Sequence, residues 1–574
     1  MNNLLNVAAV QFEPNLFEKT RNLDRLSEWV EEAARAGAQL IVTPEMGTTG
    51  YCWQDREEVA PYVETIPGPT TERFARLARQ YGCHLVIGMP EVDPVDDLYY
   101  NTAVLIGPQG VVGKHRKTHP YISEPKWAAS GDLGHQVFDT PIGRIALLIC
   151  MDIHFLETAR LVGLGGADVI CHVSNWLAER TPAPYWINRA FENGCYLVES
   201  NRWGQERGVQ FSGGTCVIEP DGHVQGILDK GDGLLFGKLD LARVRDRQPT
   251  VMAARRPALY KELAQPAYAW NPLDFFGLYG LSPRAKGKVS AVAVGQFAPG
   301  RDTAANLRAI TEQARAAKAQ GAELVVFPEL SLSGSYVDHT SALALDGHEV
   351  RALLNLAIEL RVHLVVGLVL AEGQALYNSA VVVGPEGVVG HYHKLHLSEG
   401  DKAWATPGTT WKTLDLPLGR VGLLIGDDCL VPEAGRVLAL RGCDLVACPA
   451  ALSAPLPGAH PGTAIAHPAP IPTGADPYHW HLGRVRAGEN NLFLAFANSL
   501  DPAVGSFGAS GVFGPDTFAF PRQEVIVTGE QGHAVARMDT SNLDTPYPTS
   551  VVRRKDLVLM RQAHQYGVLW QVAR

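Results

Sequence analysis

GRIALLICMDIHFLETAR, from Gly143 to Arg160, and GRVGLLIGDDCLVPEAGR, from Gly419 to Arg436, align without a gap. Each begins with a short apolar run suited to a buried strand and then breaks into a polar turn. The pairing extends outward. VAAVQF (Val7 to Phe12) returns as VAVGQF (Val292 to Phe297), and GAQLIVTPEM (Gly37 to Met46) as GAELVVFPEL (Gly321 to Leu330). YNTAVLIGPQGVVG (Tyr100 to Gly113) returns as YNSAVVVGPEGVVG (Tyr377 to Gly390), and RAFEN (Arg189 to Asn193) as RAGEN (Arg486 to Asn490). A period near half the chain marks duplicated domains rather than a short solenoid repeat.

Each copy alternates strand and helix signals. Val7 to Phe12 and Gln39 to Thr43 are buried-strand runs, and between them Leu23, Leu26, Val30 and Ala33 recur at helical spacing, with Gly37 placed to close the helix. Alternation of this kind predicts a layered α/β fold whose functional residues stand at strand ends. The expected division is a first domain over 1–264, a linker over 265–288 rich in Pro, Gly and aromatics, and a second domain over 289–574. The second copy carries a Pro-, Ala-, Gly- and His-rich insertion over 453–476, which reads as a loop or lid.

At 574 residues the chain exceeds one hydrophobic core, and 46% hydrophobic with 19% charged residues is ordinary for a globular protein. A formal charge of −10 argues against a nucleic-acid partner, because neutralising phosphates takes clustered Lys and Arg. No apolar run approaches the roughly 20 residues of a membrane span, and Met1 to Asn6 does not resemble a secretory leader. Nine cysteines lie mostly in apolar contexts and read as buried reduced thiols. These features predict a cytoplasmic protein with no membrane partner.

Four residues of the first copy carry chemistry. Cys150 ends an apolar strand, where a thiol is presented to a cleft; alone it would equally suit a small buried apolar residue. Glu45 lies just past another strand, Lys117 sits in HRKTH and Glu124 follows shortly; each alone would suit a solvated surface charge. Together they form a pattern. PEM at Glu45, RK.H at Lys117, C.D…E..R at Cys150, Asp152, Glu157 and Arg160, SNW at Ser174 to Trp176 and RA.EN at Arg189 resemble the nitrilase superfamily of carbon–nitrogen hydrolases in both halves. The resemblance implies two tandem four-layer αββα sandwiches packed as an internal pseudo-dimer, a Glu45–Lys117–Cys150 triad, and a second glutamate at Glu124. It implies neither cofactor nor metal; His115, His119 and His154 lack ligand-like spacing and read as pocket or loop residues.

A free thiol has pKa ~8.5 and needs a base at neutral pH, the role expected of Glu45. Lys117 and the backbone N–H of Met151 are the expected donors to the oxyanion. Cys150-Met151-Asp152 resembles the amide- and carbamoyl-cleaving branch more than Cys-Trp-Glu nitrilases, although nitrile hydrolysis stays open. Trp176, Glu179 and Arg180 are candidates to line the pocket of a small amide substrate. In the second copy Glu329, Lys394 and Asp401 match Glu45, Lys117 and Glu124, but Gly426 stands where Cys150 does. Without sulfur no thioester forms, so this half is expected to be silent, either as a permanent partner or as a ligand-binding regulatory module. A homo-oligomer beyond the internal pair is compatible with this reading.

Overall fold

The computed structural model describes residues 3–177, 182–265, 286–334, 337, 341–452, 478–501, 505–517, 524–527, 531–545 and 547–571. They fall into two compact units, one running to Ala253 and taking in His564–Leu569, the other beginning at Ala254.

In the first unit β1 (Leu4–Gln11) is followed by α1 (Lys19–Arg35), β2 (Leu40–Val42), α2 (Pro69–Tyr81), β3 (His84–Val92), β4 (Tyr99–Gly107) and β5 (Gly110–Arg116). Then come β6 (Val137–Thr140), β7 (Gly143–Ile149), α3 (Leu156–Leu164), β8 (Val169–Ser174), α4 (Pro184–Asn193), β9 (Tyr196–Asn201), β10 (Thr215–Ile218), β11 (Val224–Leu228), β12 (Gly233–Asp240) and α5 (Leu241–Ala253). Two six-stranded sheets result, ordered β12-β1-β2-β3-β4-β5 and β11-β10-β9-β8-β7-β6. The central pairings β1–β2–β3 and β7–β8–β9 are parallel, which is why those strands read as continuous apolar runs instead of alternating ones. Leu26, Val30 and Ala33 of α1 and Phe74 and Ala78 of α2 close a core against Ala8, Val10, Ile41, Leu85 and Ile87.

The second unit repeats the plan with β13 (Val289–Gln296), α6 (Thr303–Ala319), β14 (Leu324–Val326), α7 (His348–Leu360), β15 (His363–Glu372), β16 (Ala375–Gly384) and β17 (Gly387–His393). It continues with β18 (Thr413–Leu416), β19 (Gly419–Leu423), α8 (Pro432–Leu440), β20 (Leu445–Ala450), α9 (Tyr478–Glu489), β21 (Phe493–Asn498), β22 (Gly511–Phe513), β23 (Val525–Ile526) and β24 (Gly532–Asp539). Its sheets run β17-β16-β15-β14-β13-β24 and β18-β19-β20-β21-β22-β23. The tandem layered α/β architecture expected from the repeats is present.

The first unit stops short of the expected residue 264. Residues 254–264 belong to the second unit, where Arg255 pairs with Glu433 at 2.7 Å and Arg256 donates to the carbonyls of Leu395 and Gly408 at 2.8 and 2.7 Å. Tyr260, fully buried, bonds His396 at 2.7 Å. The sequence alone carries no sign of which repeat supplies these partners. Most of the expected linker, and the insertion over 453–476, lie outside the described residues. Among the described residues no helix is long and apolar enough to cross a membrane.

Candidate active site

The site of the first unit is assembled from strand ends. Glu45 follows β2, and its turn is crossed closely by β3. A side chain at Gly88 would place its Cβ 2.4 Å from the Pro44 carbonyl and 2.8 Å from the Glu45 Cα, so only glycine fits there. Gly367 stands in the same relation to Glu329, with a Cβ 2.8 Å from the Glu329 Cα. Lys117 comes directly after β5 and Cys150 directly after β7.

All four expected residues converge. Lys117 Nζ donates to Glu45 Oε1 at 2.8 Å and to Glu124 Oε2 at 2.6 Å, and each of the three is at most 1% exposed. Asn101 on β4 donates to Glu45 Oε1 at 2.7 Å and to Glu124 Oε1 at 2.6 Å, so one amide locks the two carboxylates to each other. Tyr51 OH (3.2 Å) and the Tyr121 N–H (2.7 Å) also donate to Glu124. The Asn175 N–H donates to Glu45 Oε2 at 2.8 Å.

Cys150 opens a short 3-10 turn, Cys150–His154, with φ +44°, a left-handed backbone that non-glycine residues rarely adopt. Asp152 holds that turn. Its carboxylate accepts from the Ile149 N–H at 3.2 Å, closing the turn, and from the Thr118 N–H, the Thr118 hydroxyl and the His119 N–H at 3.1, 2.7 and 3.0 Å. His115 Nε2 and His119 Nδ1 meet it at 2.9 and 3.0 Å. Asp152 therefore ties the Cys150 turn to the segment carrying Lys117. Below Cys150, His172 Nε2 donates to its carbonyl at 3.1 Å while the other ring nitrogen pairs with Glu199.

Burial sets the electrostatics. It raises the Glu45 carboxyl despite the opposing charge of Lys117, with Glu124 adding to the rise. It works against the Lys117 ammonium, but Glu124 and Glu45 overcome it and hold that pKa well above its ordinary value. The Cys150 thiol is pushed well up, by burial and then by Glu45, so the resting sulfur keeps its proton.

Of the pocket candidates, Trp176 is buried and stacks on His154 with centroids 5.0 Å apart and rings 4° from parallel. Glu179 and Arg180 lie outside the described residues. Met151 follows Cys150 in the turn, at the start of which its amide stands. Sequence reasoning missed Asn101, Asp152 as a positioning group, and His172 with Glu199. The first two had a signal: Asn101 recurs as Asn378 and Asp152 as Asp428, each outside any apolar pattern.

In the second unit Lys394 Nζ donates to Glu329 at 2.8 Å, to Asp401 at 2.7 Å and also to Asp427 at 2.7 Å. Asn378 bridges Glu329 and Asp401 at 2.7 and 3.0 Å, as Asn101 does in the first. Gly426 has the same φ of +44° as Cys150, and a Cβ on it would stand 2.4 Å from Glu329 Oε2. Burial carries Glu329 up to about 7, against Lys394 and with help from Asp401 and Asp427. Cys429 is fully buried three residues on and interacts with Cys448.

Comparison with known proteins agrees with this plan. The carbon–nitrogen hydrolase profile matches residues 6–248 and again 291–518, and the chain belongs to that family. A nitrilase of Pyrococcus abyssi is 37% identical over 247 residues, 43% of this chain and 93% of that protein. A deaminated glutathione amidase of Homo sapiens is 30% identical over 43% of this chain and 82% of its own length, and an omega-amidase of Xenopus tropicalis is 29% identical over 42% and 92%. Among solved structures, an amidase from Nesterenkonia sp. is similar with 26% identity and a TM-score of 0.38, covering 43% of this chain and 95% of that one.

Proposed function

We propose that the first repeat hydrolyses the carbon–nitrogen bond of a small amide or N-carbamoyl compound through a thioester on Cys150, and that the second repeat performs no chemistry. The observation that carries this reading is the fully buried Glu45–Lys117–Glu124 ion cluster at the Cys150 turn, in which Lys117 bonds both carboxylates and the charges of Glu45 and Lys117 act on the Cys150 thiol. Because the resting thiol is protonated, proton removal accompanies attack. Glu45, with its raised pKa, accepts the proton and returns it to the departing nitrogen. The carbonyl carbon is then bonded to sulfur, and Glu45 deprotonates a water that releases the acid and restores the thiol.

Lys117 uses two of its three donors on Glu45 and Glu124; the third, with the Met151 N–H, serves the oxyanion. In the second repeat all three donors of Lys394 meet carboxylates, and Gly426 carries no sulfur. Asp152 after the nucleophile and the names of the amidase relatives favour amides, while the name of the Pyrococcus relative favours nitriles. A panel of nitriles, amides and N-carbamoyl compounds, read by ammonia release and intact mass, decides between them. The expected result is an acyl adduct on Cys150 with an amide-type substrate and none with Cys150→Ala. Turnover retained in Cys150→Ala overturns the reading.

A further inference from the structure

A cluster remote from either triad stands on the second unit. Glu372 ends β15, and His391 and His393 lie two residues apart on the edge strand β17, hence on one face. Their partners in register on β16, Val381 and Ser379, show which face this is, since Val381 belongs to the core packed under α6 and α7. Lys394 and Asn378, next along their strands, point to the opposite face and to the degenerate site. The cluster is thus separated from that site by the thickness of the sheet.

We propose that Glu372, His391 and His393 form a binding site for a divalent transition-metal ion of the zinc class. Both His391 Nε2 and His393 Nε2 meet Glu372 Oε1, at 3.2 and 3.3 Å. Ligands bonded at ~2.0–2.1 Å to a tetrahedral zinc ion stand about 3.3–3.4 Å apart, so both spacings match an edge of that tetrahedron. The three ligand atoms all fall within 4.8 Å of one another. His393 is also oriented as ligating histidines are: its Nδ1 bonds the Ser379 hydroxyl at 2.8 Å, leaving Nε2 for the ion, and its ring stacks on Tyr377 at 4.0 Å. Each of the three is partly exposed, so an ion has access and a water completes the fourth position.

The first repeat supplies the contrast. Strand register, with the β15–β16 connection two residues shorter than the β3–β4 one, sets Lys114 opposite His391, Arg116 opposite His393, Glu91 opposite Leu370 and Asp93 opposite Glu372. There, Arg116 pairs with Glu91 and Asp93 at 2.6 Å each, and Lys114 pairs with Glu91. With Asp132, 3.0 Å from Arg116, the two permanent cations satisfy three carboxylates, and neither cation is a metal ligand. In the second repeat both cations have become imidazoles and one carboxylate has become leucine. The two positive charges are gone and an N,N,O donor set stands in their place, the ligand chemistry that suits zinc.

The test is zinc titration of the tag-free full chain in a Cys150→Ala background, which removes the active-site thiol, against a chromophoric chelator. One zinc per chain is expected, with binding at least tenfold weaker in Glu372→Gln and lost in His391→Ala/His393→Ala. Cobalt substituted at the same stoichiometry should show the intense visible bands of a tetrahedral ion in the parent and not in the double variant. Zinc bound with unchanged affinity and stoichiometry by the double variant overturns the proposal, as does a parent that retains no zinc against the chelator.

Discussion

Cys150 and Gly426 share a left-handed φ of +44°, but only the cysteine is strained by it. Such strain costs on the order of 1–3 kcal/mol and persists because Asp152 and His172 hold the backbone from both sides. Glycine at 426 removes the sulfur and the strain together. Restoring the thiol by Gly426→Cys should therefore lower stability by about 1–3 kcal/mol in urea unfolding, since the new Cβ must also displace Glu329 from 2.4 Å. In a Cys150→Ala background it should give no turnover, because Asp427 takes the donor of Lys394 that an oxyanion needs. Robust ammonia release from that variant would defeat the assignment of a silent half. Lys117→Ala in the first repeat should lower kcat by ~10²-fold or more, as the oxyanion loses a charged donor and Glu45 and Glu124 face each other uncompensated. A change confined to KM would mean that Lys117 serves binding alone.

Among the elements, the turn after β7 and the segment after β5 behave as one piece because Asp152 belongs to both hydrogen-bond sets. Two histidines lie in that piece, His154 buried and His135 partly buried. Burial, then the neighbouring Arg189, drives His154 down to about 3, and burial, then His115, drives His135 down to about 3. Between that value and the ~6.5 of an unfolded histidine, the unfolded chain binds a proton that the folded chain does not. Stability must therefore fall as pH falls through this window, by up to ~1.4 kcal/mol per pH unit for each histidine. His172, raised by Glu199 against its burial, has the opposite sign and acts above that window, losing its contribution as pH rises through its folded value. Urea midpoints measured from pH 7 to pH 4 should drop steadily, and His154→Phe should flatten the slope. An unchanged slope in His154→Phe would show that another group governs acid unfolding.

For the whole molecule, the placement of residues 254–264 decides where the first unit ends. Tyr260 and Leu263 are fully buried in the second unit, and Trp411 donates to the Leu259 carbonyl at 2.9 Å. Arg441 pairs with Glu262, and Arg561 donates to the Leu263 carbonyl. Removing a buried aromatic ring costs ~3–5 kcal/mol where the site does not collapse. Tyr260→Ala should accordingly speed amide hydrogen exchange in β17 to β19 of the second repeat and leave β7 to β9 of the first unchanged. Faster exchange in β7 to β9 instead would assign the segment to the wrong unit.

Much of this was legible before any coordinates. The repeated motifs showed the duplication, and the strand-end positions of Glu45 and Cys150 followed from apolar runs that stop abruptly, because burial pressure writes a strand into local sequence. The absence of a cysteine at Gly426 was equally plain, since one aligned position suffices. Tertiary structure alone decided the rest. That Asn101 joins two carboxylates, that Asp152 ties turn to loop, that residues 254–264 belong to the second unit, and that Glu372 reaches His391 and His393 across an intervening strand are pairings between distant positions. Hydrogen bonds and ion pairs depend on distances of a few ångströms between groups that local pattern does not bring together. Apolar periodicity records which face of an element is buried; it does not record what that face meets.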